Sequence, residues 1–187
     1  SPCQPDTPYG RSKLKAEQAL RQLCKNSTMT WTILRPPLIY GPRNPGNMER
    51  LLKLVKTGLP LPLGGIKNRR SLLYVGNLVD AITTCITHPN AKNQTFIVSD
   101  GEDLSTPALI EKIGEAMGKS PTLLPIPPNL LTLAAKPLGK EDTINRLKGS
   151  LAVDSSKIRT TLDWQPPFSV NQGLKNTVDW FCENQSK

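Results

Sequence analysis

Tyr9 and Lys13 stand four residues apart, the spacing that places two side chains on one face of a helix. A tyrosine hydroxyl ordinarily titrates near ~10, too high for a base at neutral pH. An ammonium one helical turn away favours the phenolate. Together the two could move a proton to or from an alcohol. Taken alone, the same spacing also describes an ordinary surface pair. Other chemistries are poorly supplied. His88 is the single histidine, and the four cysteines at 3, 24, 85 and 182 form no CxxC pair. Zinc fingers, histidine-based metal sites and iron–sulfur patterns are thereby excluded, and no metal is expected. Four scattered thiols could form two disulfides, but without a secretion signal they read as incidental and reduced.

Charge is the second chemical signal. The net charge is +9, but residues 1–94 hold 14 Lys+Arg against 4 Asp+Glu, while residues 95–187 hold 10 against 11. A basic half suits nucleic acid or a small polyanion such as a diphosphate, and a solvated lysine-rich surface is the plain alternative. Nine aromatic residues, none interleaved with a basic stripe, offer few stacking platforms for a single strand. No helix-turn-helix, RNA-recognition or zinc signature accompanies the charge. No apolar run approaches the ~20 residues that cross a bilayer, and no basic-then-apolar leader opens the chain. Neither nucleic acid nor membrane is an expected partner.

These residues need elements to hold them, and the 187 residues are enough for about one domain. Pro8 opens a helix over residues 8–25, since a first-turn proline loses no bond there. Residues 31–35 read as a buried strand stopped by Pro36 and Pro37, with 38–42 an extended exit. Asn47 is a suitable N-cap for a helix to residue 56, with Leu51, Leu52 and Val55 inward and Gly58 as its left-handed stop. Residues 71–75 form a short strand. Asn77, with Asp80 three residues on, caps a helix whose Leu78, Ala81, Ile82, Cys85 and Ile86 face inward. Residues 95–99 form another strand. Helices follow from Ser105 or Thr106 to Gly118, and near 130–136, 142–148, 155–162 and 170–182. No internal repeat occurs. The alternation indicates an α/β protein, with too few strands for a large parallel sheet by itself.

Several ordered motifs carry a family resemblance over nearly the whole chain. Residues 8–17, PYGRSKLKAE, resemble the catalytic helix of the extended short-chain dehydrogenase/reductase superfamily, in particular its nucleotide-sugar epimerases, dehydratases and reductases. LRPPLIYGP at 34–42, RSLLYVGNLVDA at 70–81, and VDSSKI with LDWQP at 153–166 are similar to three later motifs of that superfamily. The resemblance implies the C-terminal portion of a Rossmann-type doubly wound fold plus a small, mostly helical substrate-binding subdomain. Residues 1–45 would complete the dinucleotide-binding domain; 46–187 would be mainly substrate-binding, with 71–99 returning to the Rossmann sheet. Tyr9 would be the catalytic acid/base and Lys13 would hold the nicotinamide ribose of NAD or NADP. The backbone at Pro36, Pro37 and Leu38 would pass the nicotinamide. Asn47 and Arg70 would bind the diphosphate of a UDP- or dTDP-linked hexose; Arg69 leaves that register open. Arg146 or Lys148 is a further diphosphate candidate, and Leu61 to Leu63 a nucleobase wall.

By the same resemblance the protein would be a cytoplasmic, homodimeric 4-epimerase of bacterial surface-polysaccharide synthesis. A 4-keto-sugar reductase shares every one of these motifs. A non-catalytic nucleotide sensor on the same fold would be expected to lack Tyr9 or Lys13. The sequence departs from the pattern in five places. The glycine-rich dinucleotide loop and its acidic ribose partner are absent, which implies part of a longer enzyme, inactive alone. Ser71 and Asn77 stand where the family carries acidic residues, and Asp163 where it carries glycine.

Overall fold

The computed structural model describes residues 7–139 and 141–184. It is an α/β structure of two small sheets and eight α-helices among the described residues. Helix α1 (Pro8–Cys24) starts where expected: Thr7 Oγ1 accepts the Gly10 N–H at 3.1 Å, and Pro8 fills the first turn. Strand β1 (Thr32–Arg35) pairs in parallel with β4 (Gln94–Ile97), Ile33 opposite Thr95. Strand β2 (Leu38–Tyr40) pairs in parallel with β3 (Arg70–Tyr74), and β3 pairs antiparallel with β5 (Asp103–Leu104). Between them run α2 (Asn47–Lys56), α3 (Val75–Thr87) and α4 (Thr106–Ala116). Helices α5 (Pro128–Ala135), α6 (Glu141–Lys148), α7 (Ser156–Leu162) and α8 (Val170–Asn184) complete the chain.

Strand β3 is buried on both faces, which explains its continuous apolar run. Leu72 and Tyr74 face a core with Tyr40, Leu52, Ile110 and Phe181, whereas Leu73 faces a second core of Phe96, Val98, Ile158 and Trp164. Helix α8 reaches the first core through Gly173: a Cβ there would stand 2.6 Å from Tyr40 Oη and 2.8 Å from the Tyr74 ring. Only glycine allows that approach.

Four local expectations are corrected by tertiary contacts. Asn47 is the first helical residue of α2, and Gly46 occupies the cap with φ 106° and no side-chain bond. Helix α3 begins directly from β3 at Val75, so Asn77 lies inside its first turn and caps nothing. Asp80 accepts Trp164 Nε1 at 2.7 Å instead of closing a capping box. Ile82 and Ile86 are 42% and 79% exposed. Asn77 and Ala81 set the inner face of α3, with Leu78 and Cys85 beside them, so positions 82 and 86 turn outward.

The three departures from the family motifs have physical reasons. Asn77 is fully buried; its Nδ2 donates to Asp100 at 2.7 Å and to the Phe168 carbonyl at 2.9 Å, and its Oδ1 accepts the Phe168 N–H at 2.9 Å. The carboxylate of this cluster comes from Asp100. Ser71 Oγ donates to Asp103 and accepts the Val153 N–H, so here too the carboxylate comes from elsewhere. Asp163 ends α7 in the left-handed region at φ 51°, the conformation that glycine adopts freely and that aspartate tolerates.

Candidate active site

Tyr9 and Lys13 lie on one face of α1 and open onto a groove of about 740 Å³ between α1 and β1. Leu14, Ile33 and Leu34 form its apolar wall, and Pro36 closes the end nearest β2. The Lys13 ammonium stands 5.3 Å from the centroid of the Tyr9 ring. Tyr9 is 72% exposed and therefore reachable. The other two tyrosines are not. Tyr40 is fully buried, and burial with the nearby Asp100 charge pushes its hydroxyl well above the ordinary range. Tyr74 is buried, its hydroxyl accepting Asn176 Nδ2 at 3.2 Å.

Glu17, also in the groove wall, has a role that motif reading missed. Arg35 on β1 donates to it through Nε at 2.8 Å and through a second guanidinium nitrogen, and Arg21 donates at 3.2 Å. The clamp ties the helix bearing Tyr9 to the strand across the groove. The Arg35 hydrogen bond holds the Glu17 carboxyl below its usual range near 4.5 despite partial burial. A depressed carboxylate contributes stability above its unfolded pKa and loses it as pH falls through the lower folded value. Glu17→Gln is therefore expected to cost about 1–2 kcal/mol at pH 7. In urea unfolding at a series of pH values the deficit should shrink as the pH drops below that ordinary range; a constant deficit would refute the clamp.

A second cavity, about 170 Å³, lies between α2, β3 and α6. Asn47, Arg70 and Arg146 line it, as does Arg50, against a wall that includes Leu51, Leu63 and Leu147. Arg69 and Arg70 diverge. Arg69 turns to Asp103 at 2.9 Å and stays 76% exposed, while Arg70 lines the cavity. Lys148 is turned away and donates to Thr132 Oγ1 at 2.7 Å. Of Leu61 to Leu63, Leu63 reaches the cavity wall; Leu61 bridges to Leu123. Leu38 borders a narrow extension of about 50 Å³ shared with Asn47 and Arg70. The segment 36–38 thus begins on the wall of the groove and ends on that of the small cavity, which shares Asn47, Leu51, Arg70 and Leu147 with the second one, and Pro37 lines none of the three. Arg50 was legible only as a helix residue three after Asn47; nothing local set it apart.

The family model described as NAD dependent epimerase/dehydratase family matches residues 1–99. The chain belongs to the NAD dependent epimerase/dehydratase family. Among its relatives, a UDP-glucose 4-epimerase of Vibrio cholerae is 43% identical over 184 residues, covering 98% of this chain and 56% of the relative. An N-acetyl-α-D-glucosaminyl-diphospho-ditrans,octacis-undecaprenol 4-epimerase of Escherichia coli O157:H7 is 28% identical, over 96% of this chain and 58% of the relative. Among solved structures, UDP-N-acetylglucosamine 4-epimerase of Bacillus cereus superposes with a TM-score of 0.75 at 21% identity, covering 96% of this chain and 57% of that one. UDP-glucose 4-epimerase of Thermotoga maritima, solved with UDP-glucose, gives 0.72 at 23%, over 97% and 55%. The chain thus spans about half the length of the epimerase/dehydratase relatives it matches. Among the described residues no helix is long and apolar enough to cross a membrane, and no His, Cys, Asp and Glu cluster has metal-holding geometry.

Proposed function

We propose that this chain carries the proton-transfer residues and the sugar-nucleotide site of an NAD(P)-dependent 4-epimerase acting on a UDP- or dTDP-linked hexose. The observation that carries the reading is the exposed Tyr9, paired with Lys13 on the groove wall, with the segment 36–38 leading from that groove to a small cavity that shares Asn47 and Arg70 with the arginine-rich one. The Vibrio cholerae relative supports the same reaction class. The groove falls within the ~300–1,000 Å³ of ligand pockets, and its tyrosine, lysine and proline-stopped strand fit the nicotinamide end of NAD. When bound, NAD supplies the hydride acceptor and donor at the sugar carbon.

The residues of this chain then divide the work. Tyr9 Oη takes the proton of the sugar hydroxyl and returns it. Lys13 stabilises the phenolate and holds the cofactor ribose. The backbone from Pro36 to Leu38 orients the ring. Asn47, Arg70 and Arg146 hold the diphosphate, and the backbone at Leu61 to Leu63 borders the base. A homodimer serving bacterial surface-polysaccharide synthesis completes the proposal.

The test uses a protein that joins this sequence to a glycine-rich dinucleotide-binding half. Interconversion of UDP-glucose or UDP-GlcNAc with the 4-epimer, without added cofactor, supports the epimerase. A requirement for stoichiometric NADPH or NADH shows the 4-keto-reductase instead. In the same protein Arg70→Ala is expected to raise KM by roughly 10–150-fold, the worth of a charged hydrogen bond to phosphate. Arg69→Ala should change it little, because Arg69 points to Asp103. The opposite ranking in steady-state kinetics would place the diphosphate on the other side of β3.

A further inference from the structure

Three arginines line the second cavity from three separate elements: Arg50 from α2, Arg70 from β3 and Arg146 from α6. Among the described residues none of the three forms an ion pair. The acidic residue next to Arg50 in sequence, Glu49, is taken by Lys53 at 2.6 Å. An arginine stays charged under all ordinary conditions. Three such charges around about 170 Å³ repel one another unless an anion sits between them. The rest of the wall is largely leucine, which lowers the local dielectric and strengthens any ionic contact made there.

We infer that Arg50 is a third diphosphate contact, a specificity residue that makes the cavity select two linked phosphoryl groups over one. The inference rests on the proposed sugar-nucleotide site and deepens it. One bidentate fork occupies two oxygens of a phosphoryl group. Asn47 adds an uncharged amide. In this arrangement Arg70 and Arg146 serve one phosphoryl group between them. Arg50, one turn from Asn47 on the same face of α2, brings a further fork from a third element, and its use requires the second phosphoryl group. Its exposed position means that removal leaves the core untouched.

The test is calorimetric titration of the 187-residue chain, unmodified and as Arg50→Ala and Arg70→Ala, with UDP, UMP and uridine. The expected result is UDP binding weakened at least about tenfold by Arg50→Ala, the scale of one charged hydrogen bond. UMP should weaken less and uridine not at all, with an unchanged melting temperature. If Arg50→Ala binds UDP within twofold of the unmodified chain while Arg70→Ala is weakened, the sugar-nucleotide site stands and the role of Arg50 is overturned. Equal losses for UDP and UMP overturn the selection for a second phosphoryl group. If the folded, unmodified chain binds no UDP, or neither arginine matters, the site reading itself fails and the inference with it.

Discussion

On the proposed epimerase reading, Tyr9→Phe in the protein joined to a dinucleotide-binding half is expected to lower kcat by about 10²–10⁴-fold, the usual cost of deleting a general acid/base, with KM for the proposed sugar-nucleotide substrate nearly unchanged. The substitution removes one oxygen from a side chain that is 72% exposed, so nothing in the packing opposes it. No other phenol can take over. Tyr40 is enclosed, and Tyr74 is held against Asn176 behind β3. Lys13 remains in place and cofactor binding should persist. Single-turnover measurement of hydride transfer, with NAD binding followed separately, checks both parts. Near-full activity in Tyr9→Phe would show that α1 does not carry the proton, and that the groove serves another purpose.

Asn77→Asp should be the most damaging small change to the fold, about 3–5 kcal/mol at neutral pH, the cost of an uncompensated buried charge. It replaces the Nδ2–H that faces Asp100 at 2.7 Å with a second carboxyl, and it strips the Phe168 carbonyl of its donor. Burial already pushes the Asp100 carboxyl above its usual range, against hydrogen bonds from Asn77 and the Tyr74 N–H that favour its charge. An acid whose folded pKa is raised binds its proton more tightly when folded. Its contribution is therefore most favourable below the unfolded pKa near 3.8 and declines as pH rises toward the folded value. In the variant two carboxyls share the site and one must hold a proton. The deficit in urea unfolding should therefore shrink on acidification from pH 7 into the carboxylate range. An equal deficit at both ends would mean that lost packing, not charge, is responsible.

Sequence by itself determined what depends on neighbours along the chain. The pairing of Tyr9 with Lys13 follows from helical periodicity. The stop after β1 follows from two prolines, and the left-handed ends at Gly58 and Gly118 follow from the missing Cβ. The ordered motifs carried the family and the α/β class for the same reason, since each motif is a local element. The caps assigned to Asn47 and Asn77 were reasonable on local grounds and incorrect. Asn77 is held by Asp100, 23 residues away, and by Phe168, 91 residues away, so its buried network outweighed the helix end. Only the tertiary structure decided which of Arg69 and Arg70 faces the cavity, because successive residues point to opposite sides of a strand and a slip of one exchanges them. Only it could bring Arg50, Arg70 and Arg146 together. They lie on three elements far apart in sequence, and their meeting depends on how α2 and α6 pack beside β3. That packing is set by the shared core of Leu52, Leu72 and Leu109 with Leu147 against it, and no local pattern records which charges such a core leaves facing one another.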